Sequence, residues 1–156
     1  MELDRAQQVA KVVSLRLAPL CRRIEVAGSV RRRKPFPKDI DFLLIPSQDL
    51  WGLNQAIRRL GVVAAGGDKL MRVLYGNIQL DFYFASEETW ATLLLIRTGS
   101  AENNIRLCSA AKRKGWHLAA NGDGLFNEKG ERVAGDSERS IYEALSLPWQ
   151  APEERG

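Results

Sequence analysis

The chain has 156 residues, 45% of them hydrophobic and 27% charged, an ordinary globular balance that excludes a disordered or low-complexity protein. No apolar run approaches the roughly 20 residues that span a bilayer, and the N-terminus lacks the basic and apolar regions of a secretory signal, so a non-secreted protein is expected, cytoplasmic or nucleoid-associated. The net charge of +4 is modest, but seven basic residues lie between Arg22 and Lys38 against Glu25 alone, and Arg106, Lys112, Arg113 and Lys114 form a second basic stretch.

From Asp123 onward the balance reverses, with eight acidic and four basic residues. Two basic patches around an acidic centre suit a polyanion held beside cations, although solvated helix faces explain one such cluster about as well. Cys21 and Cys108 stand in unrelated contexts and read as reduced, packed thiols.

In chain order, Val9, Val12, Val13, Leu17 and Leu20 recur at helical spacing and predict an amphipathic helix from about Asp4 to Cys21. A short strand follows at residues 24–27, broken by Gly28-Ser29, and then a basic turn from Arg31 to Lys38 in which Pro35 and Pro37 exclude regular structure. Ile40, Phe42 and Leu44 alternate with Asp39, Asp41 and Leu43 in a strand buried on much of both faces. Ser47 is expected to cap a helix over residues 48–60, closed by Gly61.

Residues 62–65, 69–75 and 78–84 then read as three strands joined by Gly66-Gly67-Asp68 and Gly76-Asn77, turns that supply the positive φ of hairpins. Beyond residue 85 the pattern becomes helical, with Ser86 expected to cap a first helix and a second expected over residues 101–114. Short strands near residues 116–119 and 124–126 and a helix near 137–145 complete the chain. The expected organisation is a sheet-rich part, residues 1–85, and a smaller mixed part, residues 86–156.

Side chains two apart on a strand share a face, so Asp39 and Asp41 point the same way while Ile40 and Phe42 enter the core. Along residues 78–84, Leu80, Phe82 and Phe84 share one face and Asp81 and Tyr83 the other. If these strands are neighbours, three carboxylates converge. Such a group repels itself unless cations sit within it, which is the demand of a hard-metal site completed by water and phosphate oxygens. A bare Asp-x-Asp is short, and ordinary solvated edge positions would explain it about twice as readily. The surroundings shift that balance. Gly28-Ser29 ends a strand eleven residues before Asp39, where a glycine lets the backbone approach a phosphate, the Ser29 hydroxyl can donate to it and Arg32 can add a charge-assisted contact.

Gly28-Ser29-Val30-Arg31-Arg32 followed by Asp39-Ile40-Asp41 resembles the signature of family X DNA polymerases within the nucleotidyltransferase superfamily. Gln79-Leu80-Asp81, Thr98-Gly99-Ser100 with Asn103-Asn104, and the end from Glu138 to Arg155 extend the resemblance in the same order. It implies an α+β fold: a nucleotidyltransferase-type palm with a mixed sheet flanked by helices, plus a smaller C-terminal mixed α/β lobe that binds the nucleotide.

By this resemblance Asp39, Asp41 and Asp81 are the catalytic and metal-binding carboxylates for two Mg²⁺ ions, for which Mn²⁺ can substitute. Gly28, Ser29, Arg32 and Lys38 belong to the nucleotide's phosphates, and Ile96, Arg97, Thr98, Gly99 and Asn104 to its sugar and base. Arg33, Lys34, Lys112, Arg113 and Lys114 are the residues expected to face DNA. The implied activity is template-directed transfer of a dNTP to a primer 3′-OH on primer-template or gapped DNA, filling short gaps in repair, by a monomer with no membrane partner.

Three departures from the family pattern stand out. Ile96 and Arg97 occupy the place of an aromatic pair, Gln79 stands where an arginine is common, and Cys108 replaces an arginine that reaches toward the template. The stretch before Gly28 reads as one helix, too little for an N-terminal lyase domain, so DNA grip is expected to rest on the basic surface and to weaken steeply with salt. Two rival readings are a template-independent or ribonucleotide-accepting transferase and a catalytically idle nucleic-acid-binding module. His117 is expected on a solvent-facing strand position, and Trp51, Trp90, Trp116 and Trp149 in core or lobe packing.

Overall fold

A computed structural model describes residues 1–156, which form two compact units, Met1–Ala85 and Ser86–Gly156. The architecture is α+β, with a mixed sheet and flanking helices. No helix is long and apolar enough to cross a membrane.

Unit 1 begins with helix α1, Leu3–Leu17, whose buried stripe is Ala6, Ala10, Val13 and Leu17. This stripe is rotated from the one the larger side chains suggest: Val12 falls off the face made by Ala6, Ala10, Val13 and Leu17 and is exposed. Pro19 has no N–H to bond back, and the chain tightens into a 3₁₀ turn at Ala18–Leu20 before strand β1, Cys21–Ala27. Strand β1 therefore starts three residues earlier than expected. Both cysteines are free, and burial pushes the Cys21 thiol up to about 11, which disfavours its thiolate.

The four-residue helix α2, Gly28–Arg31, leads into the basic turn and then strand β2, Asp39–Pro46. Helix α3, Leu50–Arg58, is capped by Asp49, not by Ser47, with the Asp49 carboxylate accepting from the Gly52 N–H at 2.8 Å. Strands β3 (Val62–Gly66), β4 (Leu70–Tyr75) and β5 (Ile78–Phe84) complete a five-stranded sheet in the order β1-β2-β5-β4-β3. Strand β2 runs parallel to β5 and antiparallel to β1. Ile40, Phe42, Leu80 and Phe82 enter the core, where the Phe42 and Phe82 rings stack with centroids 4.9 Å apart. Trp51 departs from the expected packing role, since it lies on the outer side of α3 and is 73% exposed.

Unit 2 opens with a turn rather than a helix. The Ser86 N–H donates to the Thr89 hydroxyl at 2.9 Å, and helix α4 spans Trp90–Thr98 with Thr89 as its N-cap. Ser86 thus organises the turn and does not cap the helix. Helix α5, Ala101–Arg113, is capped by Ser100, whose hydroxyl accepts from the Asn103 N–H. A three-stranded antiparallel sheet follows, made of β6 (His117–Ala119), β7 (Gly124–Phe126) and β8 (Arg132–Ala134). His117 is exposed on β6. The third strand carries no clear alternation and is not evident in the sequence.

Helix α6, Glu138–Ala144, is held by a Ser137–Ser140 capping box. Its Tyr142 forms the centre of the second core with Leu95, Leu107, Leu125 and Ile141, and Trp116 and Trp149 pack against that core.

Candidate active site

The pairing of β2 with β5 decides which acidic side chains meet. Asp41 is the register partner of Asp81, and Asp39 that of Gln79. The core takes Ile40, Phe42, Leu80 and Phe82, so alternation turns Asp39, Asp41 and Asp81 to the opposite face. Burial and the neighbouring Asp81 charge push the Asp39 carboxyl above the usual carboxylate range, opposed by the Arg72 guanidinium, a backbone N–H and Lys38.

Gly28 lies against this group. Its φ is +59°, and a Cβ there would sit 2.0 Å from Asp41 Oδ2. Only the lack of a side chain lets the end of β1 close over the carboxylate, an approach helped by the pairing of Ala27 with Asp41.

Asp81 is 3% exposed and does not face Asp41 alone. Arg72, its register partner on β4, donates from Nε to Asp81 Oδ1 at 2.7 Å and from Nη2 to Oδ2 at 3.3 Å. Gln79 Nε2 lies 3.4 Å and 3.2 Å from the same two oxygens. No group of three His, Cys, Asp or Glu side chains meets closely enough to hold an ion, so the expected convergence of three carboxylates is not formed; Asp81 is ion-paired to Arg72. The donor set still suits a hard cation. It consists of carboxylates with no histidine or cysteine, and an ion of the Mg²⁺ class needs only one or two of them beside water and phosphate oxygens.

Beside Asp39 an open hollow of about 450 Å³ is lined by Ser29, Lys34, Phe36 and Lys38. The Lys34 N–H donates to the Ser29 carbonyl at 3.0 Å, which folds the basic turn back over α2. Two lysines, the Ser29 hydroxyl and the single carboxylate of Asp39 are the polar groups of this hollow, whose other lining is Pro35, Phe36 and Pro37. Arg32 is half-buried at the end of α2, and Arg33 is exposed with φ +58°.

The remaining expected residues belong to unit 2. Thr98 and Gly99 are buried at the corner between α4 and α5, Ile96 is half-buried and Arg97 exposed. Asn104 Nδ2 donates to the Ile96 carbonyl at 2.9 Å, which commits its amide hydrogen to the corner and leaves Oδ1 without a hydrogen-bond partner. Ser100 ties the same corner to the C-terminus by donating from Oγ to the Arg155 carbonyl at 2.6 Å. Arg155 is itself 2% exposed, ion-paired to Glu138 at 2.7 Å and seated over the rings of Tyr142 and Trp149. Lys112, Arg113 and Lys114 lie at the other end of α5, all exposed, with Lys114 Nζ 5.3 Å from the centre of the Trp116 ring.

Arg72 is the residue that reading the sequence missed. The signal was available: the two-residue turn Gly76-Asn77 pairs Tyr75 with Ile78, and counting back along that hairpin sets Arg72 opposite Asp81.

Residues 93–156 match the family model of the DNA polymerase beta thumb. The chain is 31% identical over 134 residues to the DNA polymerase/3'-5' exonuclease PolX of Bacillus subtilis (strain 168), an alignment that covers 83% of this chain and 23% of that protein. The chain therefore spans about a quarter of that relative's length. In fold it is similar to Leishmania infantum polymerase beta in a ternary P/T complex, with a TM-score of 0.86 at 20% identity, covering 100% of this chain and 76% of that one. A ternary gap complex of the same polymerase gives 0.85 at 19% identity, covering 99% and 70%.

Proposed function

From a chain that shares sequence and fold with the family X DNA polymerases, we propose a DNA-directed DNA polymerase that adds dNTPs to a primer 3′-OH with release of pyrophosphate and fills short gaps in repair. The observation that carries this reading is the register of β2 and β5, which turns Asp39, Asp41 and Asp81 to one face next to a hollow lined by Ser29, Lys34 and Lys38. A two-Mg²⁺ centre, when bound, would neutralise charge on both the attacking and the departing oxygen of an in-line displacement.

The chain's own residues have separable jobs in this scheme. Asp39 and Asp41 hold the cations, helped by the close approach of Gly28. Asp81 completes the ligands of the cation nearer the primer 3′-OH and accepts or orients the proton of that hydroxyl. Ser29 donates to the outer phosphates, and Arg32 and Lys38 balance their charge. Lys34 shares the wall of the same hollow and is assigned either to the phosphates or to the DNA backbone, as are Arg33 and the Lys112–Lys114 end of α5 to DNA. Within unit 2, Thr98, Gly99 and Asn104 are the residues proposed to recognise a nucleotide's sugar and base.

A ribonucleotide-accepting version of the same chemistry is favoured by one feature. Ile96 is half-buried and Arg97 exposed, and neither presents a flat ring to a sugar. Extension of a labelled primer with Mg²⁺ and single dNTPs or NTPs, on gapped duplex and on single strand, tests both versions. Templated dNTP addition that is lost in Asp81→Ala with DNA binding retained is the expected result. Addition that ignores the template refutes the first version, and no addition by the wild type refutes both.

A further inference from the structure

We propose that Arg72 is a positioning residue for Asp81, setting the plane of that carboxylate from the neighbouring strand while opposing cation binding there. The proposal rests on the reading of Asp81 as a functional carboxylate, and it begins from the register of the hairpin. The Gly76-Asn77 turn makes Arg72 and Asp81 partners on one face of the sheet. The contact is a fork, 2.7 Å from Nε to Oδ1 and 3.3 Å from Nη2 to Oδ2. The acceptor is buried, and the guanidinium is 38% exposed. Gln79, on Asp81's own strand, reaches both oxygens with an amide and adds no charge.

The χ2 torsion of an aspartate is broad and two-fold, so the strand places the carboxylate without fixing its plane. A planar guanidinium bonded to both oxygens does fix it, which an ammonium cannot do. Each carboxylate oxygen has two lone pairs; the fork uses one on each, and the uncharged Gln79 contacts approach the others, so a ligand that takes those directions need displace only the amide while the fork keeps the plane fixed. The same group brings a positive charge to a carboxylate meant for cations. Orientation and affinity therefore pull in opposite directions. Loss of Arg72 should free the site to bind cations more tightly and leave the carboxylate poorly aimed. A residue that only held the hairpin together would lower both properties together with stability.

The test uses the full chain as wild type, Arg72→Gln, Arg72→Lys and the double variant Arg72→Gln/Gln79→Arg. It measures Mn²⁺ binding to the protein alone by electron paramagnetic resonance, kcat and KM for dNTP in primer extension, and thermal melting. Arg72→Gln is expected to bind Mn²⁺ about tenfold more tightly while kcat falls about 10²-fold and KM changes less than about threefold. Arg72→Lys keeps the charge and hence the wild-type Mn²⁺ affinity, but loses much of kcat because the fork is gone. The double variant returns a guanidinium to Asp81 from its own strand and recovers most of kcat.

A kcat for Arg72→Gln within twofold of wild type overturns the proposal, as does Mn²⁺ affinity that falls with kcat. If Arg72→Gln does not fold, Arg72→Lys decides: lowered kcat at wild-type Mn²⁺ affinity bears the proposal out, and a kcat within twofold of wild type overturns it. If the wild type extends no primer, the polymerase reading fails, and the Mn²⁺ measurement alone decides Arg72, an unchanged affinity in Arg72→Gln overturning it.

Discussion

Gly28→Ala is the substitution whose consequences the structure specifies most closely. The new Cβ would lie 2.0 Å from Asp41 Oδ2, 2.8 Å from its Cγ and 3.1 Å from its Cβ. Real Cβ contacts do not fall below 3.0 Å, so the carboxylate must retreat by at least about 1 Å, the difference between 3.0 and 2.0 Å. The backbone adds its own cost, because φ is +59° and an L-residue there costs about 1–2 kcal/mol. For a chain of this size that corresponds to a fall in Tm of about 2–8 °C. A displacement of 1 Å at a reacting group costs on the order of 10²-fold in rate.

Gly76→Ala separates the two effects, since Gly76 has φ +60° and nothing within 4 Å of the added Cβ. Both variants should lose similar thermal stability in a calorimetric melt. Gly28→Ala alone should lose Mn²⁺ affinity, by about tenfold, and about 10²-fold in kcat for primer extension. Wild-type Mn²⁺ affinity in Gly28→Ala, or an equal loss in Gly76→Ala, would refute the argument that Gly28 is small for the sake of Asp41.

Three other outcomes follow from the same geometry. Phe42→Ala removes one half of the 4.9 Å ring stack beneath the acidic strand and should cost about 3–5 kcal/mol, read from the urea midpoint; a cost below about 1 kcal/mol would mean that the stack does not support β2. Arg155→Met strips the guanidinium from Glu138 and from the Tyr142 and Trp149 rings, and should lower stability by about 3–5 kcal/mol in a denaturant titration. Adding Glu138→Leu should recover part of that loss, and no recovery would show that the ion pair is not the source.

Asp39 gives a pH signature. Its folded pKa lies above the unfolded value of about 3.9, so the native state holds the proton more firmly, and its charge weakens the fold as pH rises through that window. Without divalent metal, Asp39→Asn should therefore melt above wild type at pH 7. The gap should close as pH falls toward the unfolded value, and Mg²⁺ should narrow it by stabilising the wild type. A lower Tm for Asp39→Asn at pH 7 in chelator would contradict the electrostatic account.

What the residues disclosed unaided was local. Alternation along Asp39–Leu44 and Ile78–Phe84 separated the acidic faces from the apolar ones, and glycine-containing turns marked the hairpins. The same local logic misjudged the caps, because the Ser47 hydroxyl is as plausible an acceptor as the Asp49 carboxylate, and Ser86 sits in a turn bonded to Thr89, so only the path of the chain decides where each helix starts. It also assigned Trp51 to packing, although side-chain size says nothing about which side of α3 faces the sheet. Strand β8 was illegible for a related reason: Arg132-Val133-Ala134 offers one sizeable apolar residue, and that one, Val133, is exposed.

The site follows the same division. Sequence alone determined that Asp39 and Asp41 share a face, that Asp81 lies on the apolar-free side of its own strand, and that Gly28-Ser29 ends a strand just before them, since each rests on the two-residue repeat of extended backbone. Tertiary structure decided that β2 lies parallel to β5 with Asp41 opposite Asp81, that Gly28 closes on Asp41, and that Arg72 claims Asp81. The physical reason is that strand order and register come from filling a shared core beneath Phe42 and Phe82, and no single segment contains that core.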